Sequence, residues 1–229
     1  MQIQSSPVQE QPPEARPRPF SQIPSLWLQL PRMTRDFFSA EAPRTSVSNT
    51  FLGVLIHTVL ATLVLAIVAW LRPATGPTAT AASIRTATLV IAGFTVFLAP
   101  LSFYLNTGMN YVSAYLFGGR GRFSEQAYLA SLFIVPLGII SSFISFLALI
   151  PLVGTLLETP FLLIIVVITT IFQYRIVRVV HGLNSTRAAA AVLVPLVLIY
   201  ILICLAVFLL ILLLFVLSPN IRSLFPALR

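Results

Sequence analysis

The chain has 229 residues, 58% of them hydrophobic and only 9% charged, against about 45–50% and about 25% in soluble globular domains; that deficit of charge excludes a water-soluble protein. Its net charge of +8 comes from 14 basic residues, all of them Arg, against six acids, and the arginines stand singly or in pairs rather than in the stripe that nucleic-acid binding needs. One cysteine, Cys204, excludes a disulfide framework or a Cys-based metal site, and two histidines leave few groups for acid–base chemistry.

Residues 1–24 contain six prolines among Gln and Ser, a composition that cannot bury enough apolar surface to offset chain entropy, and predict a disordered Pro-rich tail. No apolar stretch follows its first basic residue, Arg16, so it does not read as a signal peptide. Residues 25–46 predict an interfacial, amphipathic segment. Pro31 suits the start of a short helix, and Arg32 to Ala40 would lie along the membrane surface with Met33, Phe37 and Phe38 among the headgroups. A plain linker ahead of the membrane is the alternative.

Residues 47–218 predict an all-α integral membrane domain, a bundle of five transmembrane helices at about 51–71, 86–106, 127–150, 160–180 and 190–217; four apolar runs meet the requirement of about 20 residues per span, and the fourth in order, 15 residues from Pro160 to Tyr174, reaches 21 when extended to Val180. A short tail, 219–229, follows. Span one carries His57. The second uncharged run, Thr86 to Phe117, would make a helix of about 48 Å, too long for the bilayer, so the helix is expected to leave the hydrocarbon near Asn106. Span three contains Pro136. In span four Arg175 and Arg178 would snorkel to the headgroups from the last turns, and span five contains Pro195. Spans two and three, and again four and five, form hairpins turning at Gly-containing loops, a weak internal symmetry. With the N-terminus inside, the inner segments hold ten arginines against four outside, which predicts N-in and C-out by the positive-inside rule.

Gly118, Gly119, Arg120, Gly121 and Arg122 form the most distinctive local feature. Exposed N–H groups beside two arginines, with Ser124 capping the next helix, would suit a phosphate, naturally a lipid headgroup. A tight turn bearing positive-inside arginines is the alternative. Arg175, Arg178 and Arg187 are further candidates for headgroup or partner contact. His57, Asn106, Asn110 and Tyr111 are candidates for interhelical polar contacts; Asn106, Asn110 and Tyr111, with Tyr104 and Tyr115, could instead line a substrate groove with Ser141, Ser142 and Ser145. His181 is expected to be solvated in its turn. Glu125 and Glu158 are the only acids after residue 44 and would lie on opposite membrane faces. No acid pair, and no serine-hydrolase or zinc-protease motif, points to catalysis, so no enzyme activity, cofactor or metal is expected.

Tyr115-Leu116-Phe117-Gly118-Gly119-Arg120-Gly121-Arg122-Phe123, the proline-bearing span through Pro136, and Val180-His181-Gly182-Leu183-Asn184-Ser185-Thr186-Arg187-Ala188 together resemble the Yip (Ypt/Rab-interacting protein) domain family in its prokaryotic branch, over roughly Arg35 to Leu217. Asp36-Phe37-Phe38 resembles the segment that precedes that domain. The resemblance implies a five-span membrane protein without known catalysis. Eukaryotic members act with small GTPases in vesicle traffic, a role that no residue here carries over. The expected function is therefore a non-enzymatic multipass protein of the cell membrane, a scaffold or a modulator of lipid and protein organisation. Its partners would be membrane lipids with anionic headgroups, a membrane protein or a second copy, and not nucleic acid. The alternative is a small transporter or permease subunit with a path near spans two and three.

Overall fold

The computed structural model of the chain describes residues 16–71, 78–150 and 153–217, and every regular element among them is helical. Two short helices, α1 (Ile23–Trp27) and α2 (Arg35–Glu41), precede five long ones: α3 (Val47–Leu71), α4 (Thr78–Leu116), α5 (Phe123–Ile144), α6 (Val153–His181) and α7 (Ser185–Leu217). All five long helices contain a stretch long and apolar enough to cross a membrane, at 47–71, 86–116, 123–147, 156–181 and 185–213. The expected five-span bundle is therefore present, although α4 runs ten residues past its expected end at 106 and α5 ends at Ile144, short of the expected 150. The expected C-terminal tail, 219–229, lies outside the described residues.

Helix ends follow local chemistry. Gly118 (φ 89°) and Gly182 (φ 64°) end α4 and α6 in the left-handed region, where a side chain would be strained. At the first, Gly119 N–H donates to the Ala114 carbonyl at 2.9 Å and Gly118 N–H to the Tyr115 carbonyl at 3.0 Å, the paired bonds of a Schellman motif. Asn184 Oδ1 accepts from Arg187 N–H at 2.9 Å and caps α7. Prolines lie inside four of the spans, at Pro100, Pro136, Pro160 and Pro195, each removing one backbone bond.

α5 is the central element. Residues Gln126 to Phe133, with Val135 to Leu137, are buried along it, while α3, α4 and α6 surround it. The core lies toward one end of the bundle, where Tyr128, Leu129, Leu132 and Phe133 of α5 meet Phe172 and Ile176 of α6 and residues of the N-terminal segment. Elsewhere the outer faces of α4, α6 and α7 are Leu, Ile, Val and Phe left open, as expected where lipid is the solvent.

Two sequence expectations change. Within the expected 1–24 tail, residues 1–15 lie outside the described ones, but 16–24 is structured: Phe20–Gln22 forms a turn of 3-10 helix and Ile23 is buried. Arg18 binds Glu41 through Nε at 2.8 Å and Nη2 at 2.5 Å, and its carbonyl accepts from Asn49 Nδ2 at 2.7 Å. That bond to Glu41 pushes the Arg18 guanidinium above its ordinary pKa, so it stays charged. Second, Met33 and Phe38 do not lie among headgroups. Both are fully buried, with Phe38 edge-on to Phe172 at 6.2 Å, because the bundle end offers them a drier site than the interface does. Beyond Asn106, where the helix was expected to leave the hydrocarbon, α4 continues unbroken to Leu116 and turns Thr107, Asn110, Ser113 and Ala114 inward, while Asn106 and Tyr115 stay exposed.

Candidate functional site: the junction of two glycine turns

The turns after α4 and α6 are 60 residues apart in sequence and lie directly against each other. Two glycines permit this. A Cβ on Gly119 would come within 2.6 Å of His181 Cβ and 2.8 Å of the Ala114 carbonyl oxygen, and one on Gly121 would overlap Val180, side chain and carbonyl alike. The loop backbone therefore rests on the last turn of α6 with no room for side chains.

His181 binds the two turns together. It is 5% exposed, and Gly121 N–H donates to its Nδ1 at 3.3 Å. Because Nδ1 accepts, the ring proton sits on Nε2 in the neutral imidazole, which then donates to Gln126 Oε1 at 2.8 Å. Gln126 is fully buried and passes the chain on through Nε2 to the Thr107 carbonyl at 3.3 Å. One relay of hydrogen bonds thus links the α4–α5 loop, α6, α5 and α4. Tyr111 stacks at a tilt on the His181 ring at 5.4 Å and edge-on to Phe123 at 5.6 Å. The expectation of a solvated His181 is overturned: an imidazole with partners for both nitrogens costs little to bury. His181 and Gln126 were absent from the sequence-derived candidates. The only signal available was an amide in an apolar run and a His at a turn, and nothing local shows that the two meet.

The same geometry changes the loop's chemistry. The N–H groups of Gly118 and Gly119 bond to α4 carbonyls and that of Gly121 to His181, so they are occupied within the protein rather than open to a phosphate. Ser124 does not cap α5 either; Arg122 holds the N-cap position, without a side-chain bond, and Glu125 lies in the first turn. Arg120, Arg122 and Arg187 remain exposed, with the Arg187 guanidinium 3.7 Å from where a Gly118 Cβ would stand.

The remaining candidates separate. Arg175 Nη1 donates to the Met33 carbonyl at 2.9 Å and its guanidinium lies over the Phe172 ring at 5.7 Å, so it fastens the N-terminal segment to α6 instead of reaching a headgroup. Arg178 is half-buried near the same end. Asn110 Nδ2 donates to the Asn106 carbonyl and Oδ1, both at 3.0 Å, a contact within α4 where an interhelical one was expected. His57 packs on Gly138 of α5, where a Cβ would overlap its ring, and its Nδ1 has no partner. The hydroxyls of Ser142 and Ser145 donate to carbonyls of their own helix, Gly138 and Ser141, so no hydrogen bond joins His57 to them. Among the described residues no cluster of His, Cys, Asp or Glu could hold a metal.

The N-terminal segment, fastened through Arg175, and the two joined turns occupy one end of the bundle. Segments 16–46, 117–126 and 175–187 carry ten arginines against three acids, Asp36, Glu41 and Glu125. Compared with known proteins, the chain matches no family model, no curated protein and no solved structure.

Proposed function

We propose that this is a non-enzymatic multipass membrane protein of the cell membrane, N-terminus inside and C-terminus outside, that organises lipids or protein partners at its arginine-rich face. The observation that carries the reading is the construction of that face. His181, Gln126 and the Gly121 amide are engaged in holding two turns together, while Arg120, Arg122 and Arg187 stay exposed on the rigid surface so formed. Arginines fixed beside an anionic leaflet gain about 1 kcal/mol each, and a rigid platform avoids the cost of ordering a loop on contact. The Yip resemblance of the two turns supports the same reading, as does the arginine imbalance for orientation. Native mass spectrometry of the full chain from mixed phosphatidylglycerol and phosphatidylcholine tests it. Wild type should retain phosphatidylglycerol in preference, and Arg120→Gln with Arg122→Gln should reduce that preference several-fold; an unchanged preference would remove the lipid part of the reading.

A transporter is the second reading. Thr107 Oγ1, Asn110 Oδ1 and Ser113 Oγ of α4 and Gln173 Oε1 of α6 are buried without a partner, and such orphans suit a path that hydrates in another state. Cysteines placed at 107 and 110 would then react with a small water-soluble reagent from both membrane sides; protection from either side would end this reading.

A further inference from the structure

Below the arginine-rich face, α4 and α7 part to form a lateral groove of about 490 Å³, lined by Tyr104, Gly108, Val112 and Leu116 on one wall and by Val194 and Leu198 on the other. That volume is within the range of about 300–1,000 Å³ of small-molecule sites. Its origin is legible in the residues. Ala114, Ala188 and Ala191 close the helices together near the turns, and beyond them Pro195 and Gly108 leave the space open; nothing lies within 4 Å of where a Gly108 Cβ would be.

From these features we infer that the groove holds one acyl chain of an anionic glycerophospholipid whose phosphate rests on Arg187. Charge complementarity selects this occupant. Arg187 is seven residues before Val194 and eleven before Leu198, hence on the same stripe of α7, about 10 Å nearer the arginine-rich end than Val194. On the facing wall Leu116 is two residues from Gly118, beside which the Arg187 guanidinium stands. An apolar channel about 18 Å long on α4 with a cation at its end matches a chain joined to a phosphate. The inference rests on the lipid-organising reading above and adds to it a specific site.

The test uses the full wild-type chain in nanodiscs of equal parts phosphatidylglycerol and phosphatidylcholine, with a photoactivatable group on the acyl chain of one lipid at a time, followed by peptide mapping. Phosphatidylglycerol adducts should concentrate on residues 104–116 and 194–198. Arg187→Gln should reduce them about fivefold, and Gly108→Leu, whose Cβ meets open space, should remove them. Equal labelling by both lipids, or adducts as dense on the outer faces of α3 and α6, would mean bulk lipid only and overturn the inference. The Arg120 and Arg122 replacements should leave groove adducts intact, so loss of the groove signal with face retention preserved refutes this site alone, and the converse refutes the broader reading alone.

Discussion

His181 shows how much a single side chain holds at the junction. Replacing it with Ala would strand the Gln126 Oε1 acceptor and the Gly121 N–H, at about 1–3 kcal/mol for each buried group. Thermal unfolding in detergent should therefore show a marked loss of stability for His181→Ala, while a stability equal to wild type would deny the relay its role. The glycines separate by environment. Gly119→Ala and Gly121→Ala press against His181 and Val180 and should destabilise, and Gly118→Ala strains a left-handed position at about 1–2 kcal/mol. Gly108→Ala meets open space and should be neutral or stabilising by up to about 1 kcal/mol. The same four thermal unfolding curves check all of these, and a Gly119 variant as stable as the Gly108 variant would contradict the close packing. Little of this is visible in the sequence. Gly118 to Gly121 announce a turn, but which of them bears a steric load depends on Val180 and His181, 60 residues downstream.

Among the elements, the five spans were readable because an apolar run of about 20 residues has one main explanation. The N-terminal segment was not. Its prolines dominate composition, while the residues that fold it, Ile23, Leu26, Met33 and Phe38, are scattered singly and find their partners on α5 and α6. Even the helix start at Thr34, whose Oγ1 accepts from Phe37 N–H at 3.5 Å, is a weak local signal. The inward face of α4 was legible only in part: Asn110 stood out as a polar residue suited to helix packing, but Thr107 and Ser113, buried beside it, are too small and common to mark a face until a second helix is known to cover it. Phe38→Ala removes a ring packed edge-on against Phe172 and should cost about 3–5 kcal/mol. Arg175→Ala should loosen the same segment less. Hydrogen exchange over residues 20–44 should rise in both variants with α3 and α5 still protected; protection unchanged in both would show that the segment is not held by these contacts.

At the scale of the whole molecule, the parts make a bundle with two unlike ends. At one, charge, buried polar relays and aromatic packing concentrate; away from it the described helices expose mostly aliphatic side chains, most plainly along α7 from Tyr200 to Leu213. The arginine count of the sequence anticipated this asymmetry, but it could not show that three segments far apart in the chain are joined into one surface. In the proposed orientation that joined surface is turned to the cytoplasm. The most direct test places single cysteines at Arg32, Arg120 and Arg187 in a Cys204→Ser chain and applies a membrane-impermeant maleimide to sealed right-side-out and inverted vesicles. All three positions should react only in the inverted vesicles. Reaction of any one of them from the outside would contradict a single arginine-bearing face turned to the cytoplasm.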